Sequence, residues 1–324
     1  MDRTRQSEII YLETERSIGA RLGMLVRSPI RVFDLYGLGI DQHGFLRDLG
    51  PTFDELSWDQ YEARARRVAF LKSRFPSERA RLDAFLAHYY AQGNAALKEI
   101  RDLMKQLTWE EKHHFQMIRP HRTRSIARFE LTNAFHATWE DQWRVERVEM
   151  SGFAQDLDTE DPRSVVRVFD PTPNTVVVHQ GFQRLLVGVA EMVEDAEAEF
   201  EQEPERLALT FHQMGLFGQP VEAASNAPEG THQDGADYIV SALVVARHGV
   251  DGGVSKVKSD DRKTDLLEIE LQPGQGLFQA DRHSGLWHDI TSIRLKDSAF
   301  GEVSGARHIF GFDINVVGRR PRRR

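Results

Sequence analysis

The sequence predicts an α+β protein. A mainly helical N-terminal region (1–204) packs on a double-stranded β-helix, a jelly roll, at 205–317, and a basic disordered tail occupies 318–324. Three observations predict this. Apolar residues recur at helical spacing as far as about residue 120. After Glu205 the texture changes to short strands roughly ten residues apart, with Gly, Pro and Asp between them. A jelly roll with apolar outer faces also needs helices to cover it, which argues for one compact unit.

The helices come first. Ser57-Trp-Asp-Gln60 has the spacing of a capping box with Ser57 as N-cap. Trp58, Tyr61, Ala65, Val68 and Leu71 follow on one face. Pro76-Ser77 ends that helix, and Ser77 is placed to cap the next. The next helix carries Leu82, Phe85, Leu86 and Tyr89. Gly93-Asn94 weakens the helix before Leu97, Ile100, Leu103, Met104 and Leu107 resume the stripe. Thr108-Trp-Glu-Glu111 is a second capping box. These stripes read as core packing. Adjacent His113 and His114 diverge on a helix and chelate poorly.

From 122 to 180 the pattern is mixed. Arg122, Arg124 and Arg128 can grip a carboxylate or form a solvated edge, and the edge is the simpler reading. Asp161-Pro162 and Asp170-Pro-Thr-Pro173 mark loops. Phe182, Leu185, Leu186, Val189, Met192 and Val193 define an amphipathic helix, and the acidic run Glu194–Glu205 after it reads as a solvated face or loop. Strands follow at Leu207–Phe217, Tyr238–Ala246, Val254–Lys258, Leu266–Leu271, Gly276–Ala280, Leu286–Leu295 and Ala306–Val317.

Composition narrows the chemistry. The chain has 324 residues, no Cys and a net charge of −8. Disulfides, thiolate metal sites and Cys nucleophiles are excluded, so a metal must be held by His, Asp or Glu. The acidic balance argues against a nucleic-acid binder. No run of about 18 apolar residues and no signal-peptide core is visible, so no membrane partner is expected and a cytoplasmic location follows by default. The tail Arg319–Arg324 reads as a solvated end.

The chemical signal lies in Pro228–Asp234. His232 and Asp234 are two apart, which in extended chain puts both side chains on one face. An imidazole and a carboxylate are two of the three ligands of a 2-His-1-carboxylate site for non-haem Fe(II). His288 is the candidate second histidine, with His248 and His283 as competitors. Such iron leaves three positions open. A 2-oxo acid fills two and dioxygen the third. A 2-oxoglutarate enzyme needs a cation for the distal carboxylate, for which the forked guanidinium of Arg307 is placed, with Arg294 and Arg282 as rivals. Arg307 shares a strand face with Ile309, Gly311 and Asp313, while His308, Phe310, Phe312 and Ile314 face away. Gln213 and Ser255 are further candidate cosubstrate or substrate contacts.

Glu229-Gly-Thr-His-Gln-Asp-Gly235, with Gly252-Gly253-Val-Ser255 after it, resembles the His-Gln-Asp-Gly signature of bacterial 2-oxoglutarate/Fe(II) dioxygenases of the free amino-acid hydroxylase type, such as isoleucine hydroxylase. Asp281-Arg282, His288-Asp-Ile-Thr-Ser-Ile293 and Gly305-Ala-Arg307 resemble the family's later segment, and Phe53-Asp54 with Tyr61–Arg67 resembles its N-terminal helix. Two departures stand out. The interval from Asp281 to His288 is stretched, which keeps His283 as an alternative, and Ser292 stands where the family has Pro. The resemblance implies a cupin-like jelly roll, iron ligands at His232, Asp234 and His288, and a 2-oxoglutarate contact at Arg307. It also implies Fe(II), 2-oxoglutarate and O2 as cofactors, and hydroxylation of a C–H bond in a free amino acid or small derivative. Two alternatives are a cupin-type isomerase or decarboxylase that does not use 2-oxoglutarate, and a non-catalytic binding protein.

Overall fold

The computed structural model describes residues 9–10, 30–133, 143–157, 161–219, 222–225, 230–296 and 304–321. The readings made on Met1–Ser7, on Pro228-Glu229 and on Arg322–Arg324 lie outside the described residues.

The strands are β1 (Ile9–Ile10), β2 (Ile30–Asp34), β3 (Arg122–Asn133), β4 (Trp143–Val148), β5 (Asp170–Pro171), β6 (Gln202–Phe217), β7 (Tyr238–His248), β8 (Val250–Asp251), β9 (Ser255–Lys258), β10 (Asp265–Ile269), β11 (Gln275–Ala280), β12 (Trp287–Ile290), β13 (Arg294–Leu295) and β14 (Ala306–Pro321). The helices are α1 (Gln42–Leu49), α2 (Gln60–Arg74), α3 (Arg79–Gln92), α4 (Arg101–Gln106), α5 (Trp109–Met117), α6 (Asn174–Val177) and α7 (Gln180–Ala198). Among the described residues, nine strands form one sheet in the order β1-β2-β11-β7-β14-β6-β3-β4, with β5 beside β3. A smaller sheet holds β10-β9-β12, and β8 pairs with β13. No described helix is long and apolar enough to cross a membrane.

The long strand β14 sits in the middle, antiparallel to both β6 and β7. Its alternation divides the molecule. Phe310 packs 6.0 Å from Phe45 of α1, 5.6 Å from Phe53 and 5.9 Å from Phe182 of α7, ring centre to ring centre. Burying each such ring contributes about 1.5–3 kcal/mol. Ile309, Gly311 and Asp313 face a cavity on the other side. The α7 stripe is buried as its spacing requires, with Phe182, Leu185, Leu186, Val189, Met192 and Val193 all in the core. The stripes of α2 to α5 close a separate apolar cluster that includes Val68, Leu71, Leu82, Phe85, Tyr89, Leu103 and Phe115.

Local contacts correct several expectations. Thr108 and Glu111 form the capping box as expected, but the first helix is capped by Asp59, which accepts from the backbone N–H groups of Tyr61 and Glu62. Ser57 instead donates to Asp170. Ser77 does not cap; a 3-10 turn, Pro76–Glu78, intervenes before α3. The segment from Arg122 is a strand joined to β6, so Arg122 and Arg124 are buried and only Arg128 is solvated. The acidic run is not wholly solvated, because α7 extends into it and buries Glu197, which pairs with Arg319 at 2.8 and 3.0 Å. Strand β14 therefore continues through Pro321, and Arg320 pairs with Glu203 at 2.9 Å.

Candidate metal and cosubstrate site

His232 lies just before β7 and His288 lies in β12. Two backbone hydrogen bonds join them: His232 N–H donates to His288 C=O at 2.9 Å, and His288 N–H donates to His232 C=O at 3.0 Å. This bridge sets the rings 4.2 Å apart. Asp234, two residues on, reaches between them. Its carboxylate lies 3.5 Å from His232 Nε2 and 3.2 Å from His288 Nε2. One ligand atom from each of the three lies within 4.8 Å of the others, so a single ion fits among them.

Neighbouring groups orient the donors. His232 Nδ1 is 2.7 Å from the Gly230 carbonyl, which fixes the proton on Nδ1 and leaves Nε2 as the lone-pair donor. His288 Nδ1 faces the fully buried Asp281 at 3.6 Å. Asp281 also accepts from the backbone N–H groups of Asp234 and Gly235 at 2.9 and 2.8 Å, so one carboxylate braces two of the three donors. Burial raises the Asp281 carboxyl above its ordinary value. Burial also works to raise Asp234, but the two imidazoles beside it outweigh that and hold it well below the usual carboxylate range. Burial disfavours the protonated His288 ring, yet Asp234 and Asp281 push it up to about 10. Carboxylates that stabilise a proton so strongly also stabilise a divalent cation in its place.

The triad opens on a cavity of about 140 Å³ whose walls include Ser255, Ile309, Gly311 and Asp313. Ser255 is therefore brought to the site, since β9 pairs with the His288 strand. Gln213 is not. It points to the opposite face of β6, donating to Thr52 at 2.8 Å and accepting from Ser125 at 3.2 Å. The competing histidines stand apart. His283 is exposed in a turn with φ +58°, and His248 is exposed at the end of β7.

Arg307 is fully buried, and among the described residues Nε, Nη1 and Nη2 have no hydrogen-bond partner. It lies on the same face of β14 as the cavity-lining Ile309, beside Gly253, where a Cβ would approach its Cδ to 2.8 Å. Burial and the nearby Arg247 push its guanidinium down to about 9. A buried cation with five unused N–H donors is a site for an oxyanion. Its rivals are otherwise engaged: Arg282 pairs with Asp156 and Asp237, and Arg294 is exposed.

The 2OG-Fe dioxygenase family model matches residues 110–313, more than half of the chain. The chain belongs to that family. Fe(II), 2-oxoglutarate and O2 are thereby its cofactors, and this dioxygenase has the residue types they need: two imidazoles with a carboxylate, and an unpartnered buried guanidinium. A bsmA homolog from Methylobium petroleophilum PM1 is similar in fold at 16% identity, covering 97% of each chain with a TM-score of 0.59. Weaker likeness extends to IDO from Bacillus thuringiensis (11% identity, 61% of this chain and 79% of that one, TM-score 0.44). It also extends to the Fe(II)/α-ketoglutarate-dependent dioxygenase TqaL (13% identity, 81% and 94%, TM-score 0.44). No curated protein matches the sequence significantly.

Residues that sequence reasoning did not single out complete the dioxygenase site. Gln155 donates to Asp234 at 2.5 Å, and Arg163 donates to the Gln233 carbonyl at 3.3 Å. Arg167 and His212 line the cavity, beside the Asp313 already placed on the Arg307 face of β14. His212 alternates with Met214 on the site face of β6, a signal visible only once the facing of that strand is known.

Proposed function

We propose that His232, Asp234 and His288 hold the Fe(II) of this dioxygenase, and that Arg307 receives the distal carboxylate of 2-oxoglutarate with Ser255 alongside. The reaction is hydroxylation of an unactivated C–H bond of a free amino acid or small derivative. One oxygen atom of O2 enters the substrate as C–H becomes C–OH. The other enters succinate as 2-oxoglutarate loses CO2. Bound iron and cosubstrate supply the oxidising chemistry. The chain's own residues position the groups: Asp281 orients His288, Gln155 steadies Asp234, and the cavity walls limit access of water.

The observation that carries this reading is the buried guanidinium of Arg307, without a hydrogen bond among the described residues, on the strand face that leads to the triad. The small cavity favours a small molecule over a macromolecular segment. The resemblance around His232 favours an amino acid. A screen of L-amino acids for substrate-dependent succinate release tests it. Stimulation by one or a few amino acids is expected; iron-dependent turnover of a substrate without succinate would overturn it.

A further inference from the structure

Four arginines line the cavity, and they divide into two kinds. Arg122 donates twice to Asp59, at 3.0 and 2.7 Å, and Arg163 pairs with Asp161 at 2.8 Å. Arg124 and Arg167 have no carboxylate in ion-pair contact among the described residues, yet they are only 9% and 6% exposed. Each keeps a buried Nε–H without a hydrogen-bond partner among the described residues. Arg124 donates to His212 Nδ1 at 2.8 Å, and His212 Nε2 is engaged with Asp313 at 3.0 Å. Arg167 donates to the Gln155 side-chain oxygen at 3.4 Å and the Arg163 carbonyl at 3.1 Å. Both guanidinium carbons stand beside the ring of Phe153, at 5.6 and 5.2 Å from its centre. Burial pushes both guanidiniums down, Arg124 to about 9.

We propose that Arg124 and Arg167 form the docking site for a carboxylate of the prime substrate, so that the enzyme acts on a short free acid and rejects its amide. This rests on the dioxygenase reading above. Two buried cations without a carboxylate partner are costly unless an anion arrives. With the distal carboxylate of 2-oxoglutarate at Arg307 and its 2-oxo acid end at the metal, neither end of the cosubstrate is left for this pair. One residue links the pair to the triad: Gln155 accepts from Arg167 and donates to Asp234. An acid held there shares the cavity with the triad, and Met214, Val240 and Ile309 of its lining suit an aliphatic chain.

The test is equilibrium binding under argon to protein loaded with Fe(II) and 2-oxoglutarate. Acetate, butanoate and hexanoate are each titrated beside the matching amide and followed by calorimetry. At least one acid is expected to bind roughly tenfold or more tightly than its amide, as a lost charge-assisted hydrogen bond implies. Arg124→Gln and Arg167→Gln should each erase that preference while the 2-oxoglutarate dissociation constant, read from the metal-to-ligand absorption band, stays within about twofold. Acids and amides binding alike in the wild-type protein, or no acid binding at high millimolar concentration, overturns the inference and leaves the dioxygenase reading intact. Loss of 2-oxoglutarate binding in Arg124→Gln overturns it by assigning the pair to the cosubstrate. Absence of a 2-oxoglutarate-dependent band in the wild-type protein overturns the dioxygenase reading and this inference with it.

Discussion

Arg122 and Arg307 flank Leu216 on one rung of the large sheet, one from β3 and the other from β14. Both are buried. Arg122 meets Asp59 with two hydrogen bonds, and Asp59 in turn caps α2. Arg307 has no hydrogen bond among the described residues. The first ties a helix to the sheet and belongs to folding. The second has a burial cost that no hydrogen bond from a described residue offsets, and Glu270 favours its charge without an ion pair, which leaves a place for a bound anion. Unequal pairing of two buried arginines distinguishes a structural one from a candidate binding one better than residue type or position does.

Seven substitutions separate the two roles. His232→Ala or Asp234→Ala should reduce turnover below detection and abolish stoichiometric Fe(II) binding while the circular dichroism spectrum is retained; normal iron affinity in either variant would sink the ligand assignment. Asp59→Ala should cost about 3–5 kcal/mol of stability by leaving Arg122 buried and unpaired, measured by urea unfolding. A loss under about 1 kcal/mol would remove the distinction drawn here. Arg307→Lys should raise the apparent constant for 2-oxoglutarate roughly 10- to 100-fold, since one charge-assisted bond of about 1.5–3 kcal/mol is lost. Arg307→Met should raise it further without destabilising the metal-free protein; a destabilised Met variant would make Arg307 structural like Arg122. The smallest effects are expected from His283→Gln and Arg294→Ala, which should leave iron binding and the 2-oxoglutarate titration essentially unchanged.

Much of this was legible in the sequence because alternation and helical periodicity report directly on facing. The strand series after Glu205 appears nearly as its apolar pattern demands, and so does the α7 stripe. The period-2 pair His232 and Asp234 and the strand-borne His288 converge, and the two faces of β14 divide largely as their spacing requires. What the sequence did not show depends on partners distant in the chain. Arg122 looked like a solvated edge because Asp59 is 63 residues away. Glu197 and Arg319 looked like an acidic run and a loose tail because their pairing joins residues 122 apart. Gln213 was plausible as a contact until Thr52 and Ser125 took up its amide on the other face. Gln155 and Arg167 lie in a stretch without clear periodicity, and nothing local marks them as neighbours of the His232-Asp234-His288 triad.

The backbone bridge between His232 and His288 also governs how the proposed iron site would behave over time. It closes a span of 56 residues (288 − 232) with two hydrogen bonds that involve no metal. Bringing ends that far apart together costs about 3–4 kcal/mol of chain entropy, and folding meets that cost once. Each ligand therefore presents the others at a high effective concentration before any ion arrives. An ion that dissociates leaves a chelate still assembled, so iron should exchange on the timescale of ion diffusion and ligand deprotonation rather than that of refolding.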